Sequence, residues 1–409
     1  MFKKGELKLL SPFYAHSLIF NLTKVIMPFY VLYFLGIGLS FLQISLISGI
    51  RSAVAIIFEI PTGVIADKYG RKNSVIFGYL FTAVSLALIP LSNNFYIIAA
   101  IFAIDAFFET FINGADRAWA VDLIKSTDES LLDRYFLKTR LFRNIGMIIA
   151  PIIAGFIIGQ HSMKILWWVF AAGIIVSNLI LVWAKEIRQK TLEIAAPQKQ
   201  IRAIMTKSLE SVKYAFSHKI IFLLLLGIFI FYFVDEITSL VWTPHLQNNG
   251  LDLPSIGLLF SIISIIGIAI PIITQAILKR KNKISLILAS AICYAVLLFA
   301  AGSINSIAAL AVIFIFFNSL DEIFLPLEES LINEFIQNQQ RATVLSIKSM
   351  VESLAAIIGA PLAGLVAGAI IGPKVFMISG ILILLCSVIY FFVWNKIKRP
   401  EVISFRPRP

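Results

Sequence analysis

The feature that most constrains this chain is a recurrence: long apolar runs, separated by short polar breaks, from one end to the other. A helix needs about 20 mostly apolar residues to cross a bilayer, and more when tilted. On that rule the first half holds six spans, at 11–36, 43–66, 73–91, 95–124, 134–159 and 165–184. The second half holds six more, at 220–246, 254–278, 284–302, 304–332, 342–370 and 373–394. Only 14% of the residues are charged and 59% are hydrophobic, whereas a soluble globular chain is about 25% charged. The pattern therefore reads as an all-α integral membrane protein with twelve transmembrane helices.

A net charge of +12 invites a nucleic-acid partner. The cations, however, sit in short loops between apolar runs instead of on one continuous face, so no nucleic acid is expected. Of the 35 Lys and Arg residues, 28 fall in the termini, loops and adjoining span ends on one side, and only Lys164 and Lys374 fall on the other. Lys24, Arg51, Arg117, Arg140 and Arg143 lie within spans. This bias places both termini in the cytoplasm, in a multi-pass protein of the cell membrane. The first apolar run is too long for a signal-peptide core and no A-x-A site follows it. Cys293 and Cys386 sit in apolar runs and form no disulfide framework or metal site.

The segment from Lys185 to Lys219 is the only long polar stretch and divides the spans six and six. It separates residues 1–184 from 220–409 and acts as a linker. Its Ile201, Ile204, Leu209, Val212 and Phe216 could also form an amphipathic helix on the inner membrane surface. The halves look like repeats. Gly38-Leu39-Ser40 matches Gly250-Leu251-Asp252 at an offset of 212, which also pairs Glu109 with Asp321 and Asp116 with Glu328. Pro61 pairs with Pro271, and Pro151 with Pro361, at an offset of 210. Such repeats imply two six-helix bundles related by a pseudo-two-fold axis along the membrane normal, with a site between them.

Between the second and third spans the chain reads Glu59-Ile60-Pro61-Thr62-Gly63-Val64-Ile65-Ala66-Asp67-Lys68-Tyr69-Gly70-Arg71-Lys72. It leaves the apolar phase, turns at Gly70 and goes back in. The string GVIADKYGRK resembles the loop 2–3 signature of the major facilitator superfamily, G-x-x-x-D-x-x-G-R-K/R, with Gly63, Asp67, Gly70 and Arg71 on its positions. The resemblance extends over essentially the whole chain. It implies the superfamily fold, transport by alternating access, and a gating role for this loop. It also implies that Asp122, at the end of the fourth span, pairs with Arg71. Asp67 is then expected to face the start of the eleventh span near Arg341 and Ala342.

Charged residues inside spans cost at least about 2.5–3.5 kcal/mol each on insertion scales, so each one asks for a role. The fourth span carries Asp105, Glu109, Asp116, Arg117 and Asp122. At 100° per residue, Asp105, Glu109 and Asp116 fall within about 40° of one another, with Asn113 close by. One polar stripe on an apolar helix reads as a cavity wall, or as an internal ladder of salt bridges. Glu109, near mid-span, is the expected proton carrier. The seventh span holds Asp235 and Glu236, and the repeat offset sets Glu236 opposite Lys24 of the first span. Lys24 is expected to pair with one of them as a gate, the alternative being that it snorkels outward. The tenth span adds Asp321 and Glu322, then Glu328 and Glu329 beyond Pro326. Arg140 and Arg143 could hold an anionic substrate or pair with Glu328 or Glu334 at the gate.

The fifth span, with Gly146, Pro151 and Gly155, resembles the signature G-x-x-x-G-P-x-x-G-G of antiporters in the superfamily, with Ala150 and Ala154 in place of two glycines. Pro361 and Gly364 echo it in the eleventh span, and all five residues are candidate bend or close-packing positions. Arg117 resembles an arginine of proton-driven antiporters, although the surrounding NGADRAWAVD departs from their motif. No GxxxxGK[ST], HExxH or GxSxG occurs, so no enzyme and no ATP-driven pump is expected.

The combined expectation is a monomeric multidrug-type antiporter with no cofactor. It would exchange protons, drawn from a proton gradient, for small amphipathic, often cationic compounds. The carboxylates Asp105, Glu109, Asp116, Asp235, Glu236, Asp321 and Glu322 outnumber Lys24 and Arg117, which favours a cation. Two alternatives stand beside it. One is a carrier of an organic anion, sugar or other metabolite, with Arg117, Arg140 or Arg143 in the site. The other is a lipid flippase or a receptor on the same scaffold.

Overall fold

The computed structural model describes residues 2–187, 219–278, 282–335, 341–370 and 372–397. The segment with Ile201, Ile204, Leu209, Val212 and Phe216 lies outside the described residues, as do the side chains of Arg341 and Ala342. No strand occurs among the described residues. Eleven helices there are long and apolar enough to cross a membrane. The stretch 95–127 is not among them: it consists of α5 (Phe95–Glu109) and α6 (Ala115–Thr127), of 15 and 13 residues.

Two compact units divide the chain. The first comprises Met1–Leu39, Ile50–Gln198 and Asp252–Ser264. Its helices are α1 (Glu6–Leu22), α2 (Tyr30–Gly36), α3 (Phe41–Tyr69, from Ile50 on), α4 (Arg71–Leu88), α5, α6, α7 (Leu132–Gln160) and α8 (Lys164–Val182). The first turns of α10 (Leu253–Leu278) complete it. The second unit takes Ser40–Gly49, Lys199–Leu251 and Ile265–Pro409. It contains α9 (Lys219–Asn248), most of α10, α11 (Lys283–Ala301), α12 (Ile307–Phe335), α13 (Arg341–Leu354), α14 (Ala360–Ala369) and α15 (Lys374–Ile397).

The repeat is visible in the backbone. Gly38 and Gly250 both take a positive φ, 92° and 97°. At the first, the Gly38 and Leu39 amides donate to Leu35 and Phe34; at the second, the Gly250 and Leu251 amides donate to Gln247 and Leu246. Both are glycine C-caps in which paired amides satisfy the last helical carbonyls. The same turn, 212 residues apart, ends corresponding helices.

Between apolar helices in hydrocarbon there is little hydrophobic drive, so close packing and polar contacts hold them together. A Cβ on Gly146 of α7 would lie 2.7 Å from the Leu22 amide nitrogen. One on Gly257 of α10 would lie 2.5 Å from the Pro151 carbonyl oxygen, and one on Gly364 would lie 2.8 Å from Leu42 Cα. Gly155 abuts Pro254 in the same manner, at 3.1 Å. Four of the glycines and prolines singled out in the sequence are thus close-approach points. The helix α7 runs through Pro151 unbroken. Before Pro361, by contrast, residues Ala355–Gly359 form a π-helical turn, the local accommodation expected next to a proline. Each unit also has an aromatic core: Phe34, Phe102 and Trp167 in the first, Trp242, Phe314 and Phe376 in the second.

Candidate functional site

The fourth span is not one helix. Residues 110–114 form turns, and Gly114 has φ 76°. A left-handed residue in the middle of a span ends one helix and starts another, and Asn113-Gly114 is a strong local turn signal. Carbonyls freed by such a break need partners, because hydrocarbon offers none. Two come from neighbouring helices: Thr62 Oγ1 donates to the Thr110 carbonyl at 3.1 Å and Ser74 Oγ donates to the Phe111 carbonyl at 2.8 Å.

The break changes the predicted polar stripe. The angular count assumed a continuous helix from Asp105 to Asp116, so it does not hold across residues 110–114. Asp105 and Glu109 stay together at the end of α5, and both receive Arg51 of α3. One guanidinium nitrogen meets Asp105, and the other lies 2.7 Å from Glu109. The Asp105 side chain is 3% exposed and that of Glu109 is 45% exposed. Arg51 also lies over the Phe102 ring, 5.3 Å from its centroid. The ladder-like arrangement has therefore replaced the open cavity wall at this end. Glu109, expected as the proton carrier, has a fixed counter-charge. Asp116 lies beyond the break: it opens α6, accepts the Arg117 amide at 2.6 Å, and lines a cavity.

The first span is broken as well. The helix α1 stops at Leu22, and Thr23 Oγ1 donates back to the Ile19 carbonyl at 2.9 Å. After a short 3-10 turn, Met27–Phe29, the chain resumes as α2. Lys24 lies in this interruption, 4.5 Å from the centroid of the Phe20 ring and close enough to Glu109 and Arg143 to feel their charges. No ion pair among the described residues engages Lys24. Its expected partners Asp235 and Glu236 belong to the other unit.

Both breaks border a cavity of about 390 Å³ inside the first unit. Its charged lining is Lys24, Asp116, Arg117, Arg140 and Arg143. Ser17, Asn21, Thr139, Tyr79 and Tyr135 add hydrogen-bonding groups, and Phe13, Phe20, Trp119 and Phe136 add apolar surface. At its base His16 is held on both ring nitrogens. Nδ1 lies 3.2 Å from the Ser177 carbonyl, so it carries the hydrogen, and Nε2 lies 3.1 Å from the Tyr79 hydroxyl.

The loop after α3 is a compact ion cluster. Arg71 reaches Asp122 at 2.5 Å and Asp67 at 3.1 Å. Gly70 makes the turn with φ 104°. Glu186 accepts the Lys72 amide at 2.9 Å at the start of α4, where a carboxylate suits the positive helix end. The Lys72 ammonium donates to the Val182 and Ala184 carbonyls at the end of α8. Gly63 sits within α3, and a Cβ added there would meet no atom of the described residues within 4 Å.

In the second unit, Asp321 accepts a hydrogen bond from the buried Tyr294 hydroxyl. Asp235 and Glu322 are close enough to Asp321 for their charges to act on it. No ion pair among the described residues engages Asp235, Glu236, Asp321 or Glu322. Glu328 and Glu334, offered in the sequence as partners for Arg140 and Arg143, have partners within their own unit. Tyr390 donates to the fully buried Glu328 at 2.5 Å, and Lys283 pairs with Glu334. Sequence reading missed Arg51, Glu186, Tyr294 and Tyr390. Only Arg51 carried a usable signal, because a cation inside a span requires a partner and the nearest acid-rich span was the fourth.

A sequence profile of the Major Facilitator Superfamily matches residues 13–320. The uncharacterized MFS-type transporter YxaM of Bacillus subtilis (strain 168) is 22% identical over 396 residues, spanning 95% of this chain and 96% of its own. Among solved structures, the nucleoside transporter NupG superposes with a TM-score of 0.78 at 15% identity, covering 94% of this chain and 98% of its own. A bacterial homolog of the human lysosomal transporter Spinster, inward-facing and unoccupied, gives 0.72 at 14% identity, with 98% of each chain covered.

Proposed function

For this chain, which belongs to the major facilitator superfamily and is a membrane-embedded secondary transporter and not an enzyme, we propose alternating access driven by a proton gradient. Asp235, Glu236, Asp321 and Glu322 carry the protons. The observation behind this is their pairing. Asp105 and Glu109 share the Arg51 guanidinium, whereas the strongest partner recorded for Asp321 is a neutral tyrosine hydroxyl. A carboxylate without a counter-charge can take up a proton, cross the low-dielectric region neutral and release it on the other side. A carboxylate locked to a guanidinium has its charge already balanced. The cycle runs in the cell membrane with both termini cytoplasmic, and Asp67, Arg71 and Asp122 act as the cytoplasmic latch.

A second reading gives the same four acids to a cationic amphipathic substrate and makes the protein an exporter exchanging drug for proton. No ion pair with a cation engages them among the described residues, which favours it. The support once drawn from Asp105 and Glu109 is gone, because Arg51 neutralises one of their two charges.

The test uses purified protein in proteoliposomes loaded with a pH-sensitive dye. Asp321→Asn is expected to abolish substrate-coupled proton movement while insertion and folding persist. Glu109→Gln is expected to leave coupling in place. Loss of coupling in Glu109→Gln with normal coupling in Asp321→Asn reverses the assignment.

A further inference from the structure

The cavity of the first unit carries a charge pattern that the proton cycle does not use. Four cations, Lys24, Arg117, Arg140 and Arg143, line it against one acid, Asp116. Asp116 is partly committed to the Arg117 amide, 2.6 Å away. No ion pair among the described residues engages Lys24, Arg117 or Arg140. Cations kept within a transmembrane bundle are costly, and they are retained where they meet a charge or a water-filled path. The volume, about 390 Å³, lies in the range that holds small organic ligands, roughly 300–1,000 Å³.

The rest of the lining is aromatic and polar. Phe13 packs edge-to-face on Trp119 and Tyr135, with ring centroids 5.0 and 6.2 Å away, and all three line the cavity. Phe20 and Tyr79 pack against the His16 ring. Rings of this kind present flat faces to a flat apolar body, and the guanidinium groups offer forked donors that match carboxylate or phosphate oxygens.

We infer that this cavity is the substrate site and that it binds a small organic anion, a carboxylate or phosphate carried on an aromatic or similarly flat apolar body. The inference rests on the transporter reading above and adds the substrate class to it. Arg117 and Arg140 hold the anionic group, Lys24 contributes charge from the break in the first span, and the aromatic side chains hold the body. The carboxylates of the second unit are then left for protons, not for a cationic substrate.

Binding decides this without any gradient. Full-length protein in detergent is titrated calorimetrically with benzoate, phenyl phosphate, inorganic phosphate and benzylammonium. The wild type is expected to bind the two aromatic anions more tightly than inorganic phosphate and at least tenfold more tightly than benzylammonium. Arg117→Gln and Arg140→Gln should each weaken the aromatic anions at least tenfold, since each removes a charge-assisted contact. Lys164→Gln, at the first residue of α8 and outside the cavity lining, should change nothing. Equal or tighter binding of benzylammonium overturns the inference, and that arm needs no variant to fold. Anion affinity that is unchanged in both arginine variants overturns it too. Proton flux in proteoliposomes separates this from the broader reading. An anion that binds but moves no protons would count against proton coupling alone. A cation that moves with protons, with no anion bound, would count against the anion site alone.

Discussion

Removing Arg51 is the most direct test of how the broken fourth span is held. In Arg51→Gln the Glu109 side chain, 45% exposed, loses a partner that water can largely replace, at a cost below about 1 kcal/mol. Asp105 is different. Its side chain is 3% exposed, one of its oxygens has no hydrogen-bond partner among the described residues, and the other faces the guanidinium. Stripping one member from a buried ion pair strands the other charge and costs about 3–5 kcal/mol. The structure therefore predicts a loss of about 3–5 kcal/mol in Arg51→Gln, nearly all of it through Asp105. The double variant with Asp105→Asn should recover most of the loss, because no charge is left stranded. A double variant with Glu109→Gln should recover little. Reversible unfolding of the purified protein in mixed micelles, run as a double-mutant cycle, reads these differences. A cost below 1 kcal/mol for Arg51→Gln, or equal rescue by the two partners, would refute the reasoning.

Other outcomes follow from the same geometry. Gly257→Ala drives a methyl group into the Pro151 carbonyl, 2.5 Å away, and should destabilise by about 1–3 kcal/mol in thermal unfolding, while Gly63→Ala, whose Cβ meets no atom of the described residues within 4 Å, should not. Asp122→Asn removes the 2.5 Å contact with Arg71 in a half-exposed setting. About 1 kcal/mol lost from a latch shifts inward and outward populations roughly fivefold, measurable as spin-label distances, and unchanged populations would remove the latch. Thr62→Val leaves the Thr110 carbonyl at the break without its 3.1 Å donor and should cost about 1–3 kcal/mol by the same unfolding assay.

The membrane-spanning helices were legible because an apolar run of bilayer length has few other fates. The superfamily was legible from Gly63, Asp67, Gly70 and Arg71, where a tight turn confines residue choice. What escaped was the interruption of two spans. Each is set by tertiary contacts that a linear count does not contain, such as Thr62 and Ser74 receiving the carbonyls freed near Gly114. The turn pair Asn113-Gly114 was in plain view, yet hydrophobic length outweighed it, and the angular stripe drawn through it assumed one continuous helix. Arg51 was counted as a cation within a span and given no partner. Its assignment to Asp105 and Glu109 depends on how α3 lies against α5, which spacing along the chain does not encode. The charge balance of the cavity was illegible for the same reason. Residues from five helices line it, and the sequence alone does not show which of them converge.

The measurement that bears most directly on the account follows substrate and proton together. Proteoliposomes receive a labelled aromatic anion, and the label and the internal dye are read at once, with and without an imposed pH gradient. The anion is expected to move against its own gradient only when the pH gradient is present, with a fixed ratio of protons to anions that Asp321→Asn abolishes. Anion movement at the same rate and extent without a pH gradient, or a proton flux indifferent to Asp321→Asn, would contradict it.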